Sequence, residues 1–321
     1  MADETVLQVK NLTKVYRSRR RGDIVAVDNV SFRVYKNEVV GLLGPNGAGK
    51  TTTIKSICTI LRPTSGEIWV DGADAIRNPR AALEKVAAVL EGNRNIYWRL
   101  TVRDNLEFFA GLQGQSLRSV RSYIDELIEM FNLQEKVKEQ ARTLSRGMQQ
   151  KLAVACALVK RTPILLLDEP TLGLDVETSY ELRWILKRMA EQGQRTILLS
   201  SHDMNVVQDI CERVIIINHG RIVVDDRIEN LKRLFTASAY RFEVEGHLNQ
   251  AQEQKLTEQF DLIKISRDSS RTVIEAELLD DQKVYEIIDV LKENGCGLES
   301  VGKQYPDLEE IFLRIVKGEK G

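Results

Sequence analysis

The sequence predicts an α/β fold: a mixed β-sheet core with an antiparallel β layer and a helical insertion over residues 1–234, then a small α+β domain over residues 235–321. Three observations predict it. An apolar run at Val39 to Leu43 passes directly into a glycine-rich turn, then into Ile54, Ile57, Ile60 and Leu61 at helical spacing, the pattern of strand, tight turn and helix. A second run, Ile164 to Leu167, is apolar throughout and ends in Asp168-Glu169; a strand without polar alternation is buried on both faces, as in a parallel sheet. Beyond about Leu234 the composition changes, and strand and helix patterns follow in the order βαββαβ, that of a ferredoxin-like split unit.

Composition sets the outer bounds. A length of 321 residues suits two domains, and 43% hydrophobic with 29% charged residues is the balance of a folded globular chain. A net charge of -1 argues against a dedicated nucleic-acid binder, which carries a basic excess. The acidic start, Met1 to Val6, has no apolar core of a signal peptide. The longest apolar runs fall far short of the roughly 20 residues that cross a bilayer, so no direct membrane span is expected. Cys58, Cys156, Cys211 and Cys296 lie in apolar surroundings without paired spacing, the usage of reduced, buried thiols in a cytosolic chain.

Taken in order, Leu7 to Tyr16 alternates as a strand, and Ile24 to Val34 gives two short strand-like runs around Asp28-Asn29. Tyr16, at a strand end ahead of the glycine turn, is either a platform for a purine ring or an ordinary half-buried strand tyrosine. Arg17 to Arg21 reads as a solvated turn or as a contact for an anionic membrane surface. The turn itself is Gly44-Pro45-Asn46-Gly47-Ala48-Gly49-Lys50-Thr51-Thr52. Its glycines let successive backbone N–H groups face phosphate oxygens, and the helix start adds its positive dipole end. In such a phosphate loop Lys50 serves the β/γ oxygens and the Thr51 hydroxyl can ligate Mg²⁺; Thr52 extends the helix start.

Glu67 to Gly72 reads as a strand and turn, and Val86 to Leu90 as a short strand that stops at Glu91. From Thr101 to Met130 the apolar period becomes helical, marking an insertion over about 92–160. Ser145 stands where an N-cap belongs, ahead of a helix carrying Leu152 and Ala155. Asp168 is placed to hold Mg²⁺, and Glu169 to orient or deprotonate a water. Thr196 to Ser201 is another buried strand, with His202 at its end; a histidine beside two carboxylates at one sheet edge can donate to a terminal phosphate. Val214 to Ile217 and Arg221 to Val224 form a β pair around His219-Gly220.

The phosphate loop, Leu144-Ser145-Arg146-Gly147-Met148, Asp168-Glu169, Asp175 and His202, in that order, resemble the ATP-binding subunits of ABC transporters, over about residues 5 to 230. The Leu144 to Gly147 element discriminates, since other phosphate-loop enzymes lack it. The resemblance implies a phosphate-loop ATPase cassette that binds ATP and Mg²⁺ between two copies. Tyr16 stacks on adenine, Asp168 serves Mg²⁺, Glu169 is the catalytic base, and His202 senses the γ-phosphate. Ser145 and Gly147 act in trans and Asp175 across the dimer. It further implies a second ATPase subunit, most simply an identical one, and a transmembrane permease that holds the protein at the inner face of the membrane. Two departures stand out. Arg146 and Met148 replace residues of the usual Leu-Ser-Gly-Gly-Gln, a form similar to drug and polysaccharide exporters. Glu91 falls where the family has a glutamine, and could ligate Mg²⁺. The aromatics of Ile96 to Leu100 either meet the permease or pack Trp98 into the core.

The C-terminal domain carries no paired carboxylates or glycine loop and resembles the extensions of drug-export ATPase subunits, so a regulatory, dimerising or partner-docking role is expected. Its closing helix would place Leu308, Ile311, Phe312 and Ile315 on one face. The alternative is a non-transport ATPase of the same fold, acting on a soluble or nucleic-acid-bound complex. Against it, one cassette is present and only about 118 residues separate Lys50 from Asp168, too few for a coiled-coil insertion.

Overall fold

The computed structural model describes residues 4–17, 22–92, 95–192, 195–235, 239–260, 263–267, 270–278, 282–292, 297–303 and 312. The chain divides into two compact units, Met1–Arg227 and Ile228–Gly321. The division falls before residue 234 because the last strand of the first unit ends at Arg227 and a helix starts directly behind it.

In the first unit β1 (Thr5–Tyr16) pairs antiparallel with β2 (Ile24–Tyr35). The two runs expected around Asp28-Asn29 are one strand. Asn29 takes a left-handed φ of 53°, which asparagine tolerates, and the register slips from Leu12↔Val30 to Lys14↔Val27 without ending the ladder. Next come β3 (Val39–Leu43), α1 (Lys50–Ile57), β4 (Ser65–Val70) and β5 (Ala73–Asp74). The antiparallel layer has the order β2-β1-β4-β5. After α2 (Pro79–Leu83) and β6 (Val86–Val89), the insertion comprises, among the described residues, three α-helices. They are α3 (Val102–Leu112), opened by a capping box of Thr101 and Asp104, α4 (Leu117–Met130), capped by Ser116, and α5 (Arg146–Leu158), capped by Ser145. The unit ends with β7 (Ile164–Asp168), α6 (Val176–Glu191), β8 (Thr196–Ser201), α7 (Met204–Ile210), β9 (Arg213–Asn218) and β10 (Arg221–Arg227). Sequence reading misses α2 and α7, which at 5 and 7 residues are too short to show a helical period.

The central sheet runs β10-β9-β3-β8-β7-β6, parallel except for β10. β3, β7 and β8 at its centre are buried on both faces, as their apolar runs require, whereas the edge strand β10 is largely exposed. Val40 and Leu42 of β3 join Leu7, Phe32 and Ile68 of the antiparallel layer and Ile54 and Ile57 of α1 in one core. Parallel pairing brings the C-terminal ends of β3, β7 and β8 to one edge, where open α/β sheets bind ligands.

In the second unit α8 (Ile228–Phe235) leads to β11 (Ala239–Glu245), α9 (Gln250–Gln259), β12 (Ile263–Arg267), β13 (Arg271–Glu277), α10 (Lys283–Lys292) and β14 (Gly297–Lys303). The sheet is antiparallel with the order β12-β13-β11-β14. That order sets β13 between β11 and β12, the split βαβ arrangement. Leu256 of α9 and Ile287, Val290 and Leu291 of α10 meet Phe242, Val244 and Ile274 in its core. Of the expected closing helix, Phe312 is helical and buried, while Leu308, Ile311 and Ile315 lie outside the described residues, as do Ser18 to Arg21 and Cys296. Cys58, Cys156 and Cys211 are buried free thiols. Burial pushes the Cys58 thiol up to about 12 and raises the other two as well, so all three stay protonated and unreactive.

Candidate functional site

The site forms where β3, β7 and β8 end. The chain leaves β3 at Gly44, whose backbone presses on β9: a Cβ there would lie 2.2 Å from the carbonyl oxygen of Ile217. Gly49, with φ 109°, is the N-cap of α1 and offers no side chain to the helix start. The first-turn N–H groups of α1 thus keep their donors for an anion, with the helix dipole behind them. The Lys50 ammonium is only 6% exposed. It donates to Gly44 O at 2.7 Å and Pro45 O at 3.3 Å, and lies 3.3 Å from Glu169 Oε1.

Asp168 is 1% exposed. Its Oδ1 accepts from Thr51 Oγ1 at 3.1 Å and from Ser200 Oγ at 2.6 Å, whereas its Oδ2 has no hydrogen-bond partner. A buried carboxylate oxygen without a partner is costly unless something fills the role. The set of a hydroxyl, a carboxylate and the carboxylate of Glu91 across the cavity fits Mg²⁺, which takes few protein oxygens and completes its shell from phosphate and water. Among the described residues no cluster of three or more His, Cys, Asp or Glu side chains makes a protein-only cage.

Glu169 sits at a left-handed φ of 51°. Its N–H donates to Ser200 O at 3.1 Å and Ser200 Oγ at 3.2 Å, and its Oε2 accepts from His202 Nδ1 at 2.9 Å. Ser200 thus fixes the carboxylate of Asp168 and the backbone of Glu169, a role sequence reading did not assign; its only signal was two serines closing an otherwise apolar strand. That bond makes Nδ1 the protonated nitrogen of His202, whose ring is 39% exposed and borders the cavity.

A cavity of about 530 Å³ opens over these groups, lined by Tyr16, Asn46 to Thr52, Glu91, Glu169 and His202. Tyr16, at the end of β1, is 42% exposed and lines the rim of this cavity. Glu91 also lines a smaller cavity behind the carboxylates, together with Trp98, Arg146, Asp168 and Glu169. Ser145, Gly147 and Asp175 line neither cavity. Ser145 Oγ accepts from Met148 N at 3.2 Å, capping α5. Asp175 accepts from Thr178 N at 2.8 Å and Thr178 Oγ1 at 2.9 Å, and these bonds hold its carboxyl below the usual range. Trp98 is 47% exposed, so it is not a core residue; its chain neighbour Tyr97 and Phe108 are also exposed, and the rings of these two have centroids 4.5 Å apart.

Fold and site together define a phosphate-loop ATPase cassette. The family profile described as ABC transporter matches residues 27–172. The chain is 37% identical over 208 residues to the ABC transporter ATP-binding protein NatA of Bacillus subtilis, covering 65% of this chain and 84% of that one. It is 31% identical over 302 residues to the daunorubicin resistance ATP-binding protein DrrA3 of Streptomyces coeruleorubidus, covering 92% and 93%. Among solved structures it is similar to the dimeric ATP-binding cassette MJ0796 bound to ADP and Pi, with a TM-score of 0.63, 28% identity and coverage of 69% of this chain and 98% of that one. The chain belongs to the ATP-binding proteins of ABC transporters. Among the described residues no helix is long and apolar enough to cross a membrane.

Proposed function

We propose that this protein is the ATP-hydrolysing subunit that powers export through a separate permease, and that it works as a dimer. One observation carries the reading. Lys50, Thr51, Glu169 and His202 line one cavity, with Asp168 hydrogen-bonded to Thr51 at its edge, while the capped α5 start at Ser145 and Gly147, and Asp175 beside it, line no part of it. Each chain therefore offers an open half-site and, elsewhere, an anion-ready helix start that a second copy can use.

In this reading Tyr16 stacks on adenine, and the N–H groups of Gly47 to Thr51 with Lys50 hold the phosphates. Thr51, Asp168 and Glu91 hold Mg²⁺, which neutralises charge on the β- and γ-phosphates. Glu169 takes a proton from the attacking water, and His202, bound to its Oε2, keeps the carboxylate aimed and reaches toward the γ-phosphate. Ser145 and Gly147 of the neighbour close over that phosphate, so hydrolysis waits on association. The likeness to DrrA3 runs over 92% of this chain, C-terminal unit included, and supports export. The exposed group of Tyr97, Trp98 and Phe108 has the composition of an interface core and is assigned to the permease, which would hold the protein at the inner face of the membrane.

Co-expression with a candidate membrane permease tests the reading: the two should co-purify, with ATPase activity stimulated in the complex. Trp98→Ala should weaken recovery of the complex while leaving ATP binding intact. Recovery and stimulation equal to wild type would remove the aromatic group from the interface. Glu91 gives a separate prediction. Its carboxylate is one of the proposed Mg²⁺ ligands, so Glu91→Gln should raise the Mg²⁺ concentration needed for half-maximal activity. An unchanged Mg²⁺ titration and rate would show that Glu91 holds no metal.

A further inference from the structure

Arg146 occupies a position where the family pattern has glycine, and the mechanism above does not use it. Its guanidinium is nonetheless engaged. Nη2 donates to Leu172 O at 3.0 Å. The group lies against Gly173 (φ 69°), where a Cβ would come within 2.4 Å of Nη1 and 2.5 Å of Cζ. Leu172 N in turn donates to Glu169 O at 3.2 Å. Two hydrogen bonds therefore lead from the first residue of α5 to the backbone of Glu169.

The next residue grips the other end of the same turn. Gly147 is buried so closely against α6 that a Cβ would lie 2.5 Å from Thr178 Cγ2, and Thr178 holds Asp175 through its N–H and hydroxyl. Residues 146 and 147, which follow Ser145 directly, thus hold the turn from Glu169 to Asp175 at both ends. An arginine suits this place. Its planar group can donate to a carbonyl while covering a residue that has no Cβ, and it borders the cavity that holds Glu91, Asp168 and Glu169, where a fixed positive charge is favoured.

We propose that Arg146 is a positioning residue that makes the α5 start and the Glu169-to-Asp175 turn move as one body. When Ser145 engages nucleotide held by a second copy of the chain, the displacement reaches the Glu169 of its own subunit. The two composite sites of a dimer are then coupled through each protomer's Arg146. The inference rests on the dimeric reading above.

The test compares wild type with Arg146→Ala, Arg146→Lys, Gly173→Ala and the Arg146→Ala/Gly173→Ala double variant. In the nucleotide-free protein, amide hydrogen exchange over residues 170–178 should quicken about tenfold in Arg146→Ala and stay unchanged elsewhere. With ATP, Arg146→Ala should bind nucleotide within about twofold of wild type, lose roughly tenfold in kcat, and lose cooperativity in ATP. Arg146→Lys, which keeps a donor but cannot cover Gly173, should recover part of that loss. Gly173→Ala, strained by its φ of 69° in either background, should slow turnover more while Arg146 is present than once it is gone. Unchanged exchange in Arg146→Ala, simple addition of the two effects, or quickened exchange with wild-type kcat and cooperativity would each overturn the proposal. A wild-type protein without ATPase activity would instead refute the functional reading, and the exchange measurement, made without nucleotide, still decides whether Arg146 holds the turn.

Discussion

Glu169→Gln is expected to lower kcat for ATP by about 10²- to 10⁴-fold, the range for loss of a positioned general base, while ATP binding persists and a dimer accumulates. The substitution keeps the size and shape of the side chain. An amide can still accept from His202 Nδ1, which now meets the side chain of Glu169 at 2.9 Å, and the backbone bonds to Ser200 at 3.1 and 3.2 Å do not depend on the carboxylate. What disappears is proton acceptance at that one position. Removing the negative charge beside Lys50 also frees the ammonium for phosphate, so binding should not weaken. Size-exclusion chromatography with Mg²⁺ and ATP, paired with phosphate release, checks both halves. Turnover at the wild-type rate would exclude Glu169 as base, and a variant that stays monomeric with ATP would exclude the dimeric trap.

Lys50→Ala carries the second large effect, and it reaches beyond nucleotide. The ammonium and Glu169 are both almost wholly buried, and they lie 3.3 Å apart. Removing one partner of a buried ion pair leaves the other uncompensated, at a cost of about 3–5 kcal/mol. The lower end is expected here, because His202 remains beside Glu169. Denaturant unfolding of the nucleotide-free protein should therefore show a loss of about 3 kcal/mol, together with loss of ATP binding. The Lys50→Ala/Glu169→Gln pair should regain most of that stability without regaining ATP binding, since a neutral amide needs no counter-charge. If the double variant is as unstable as Lys50→Ala alone, the cost comes from the lost bonds to Gly44 O and Pro45 O and not from the uncompensated carboxylate.

Several features of the molecule are local and could be read from the chain. Gly44 to Thr51 specifies a phosphate loop because the turn demands residues without Cβ, and those residues are adjacent in sequence. Ser145 as N-cap of α5 and the buried strand ending at Asp168 follow from spacing of the same kind. Short elements were not legible, since α7 spans less than two helical turns, and the single strand through Asn29 depends on a backbone angle that no pattern of apolar residues reveals.

The sequence alone determined which chemical groups this protein possesses and the order of its longer strands and helices, because propensity, apolar period and glycine placement act over a few residues. Tertiary structure alone decided which groups meet. Parallel pairing of β3, β7 and β8 brought Lys50, Asp168 and Ser200 together from positions up to 150 residues apart. The same packing left Asp168 Oδ2 without a partner, left Ser145 outside the cavity, and placed Arg146 against Gly173. Such contacts depend on how whole elements stack, and no local signal encodes the distance between residues on different strands.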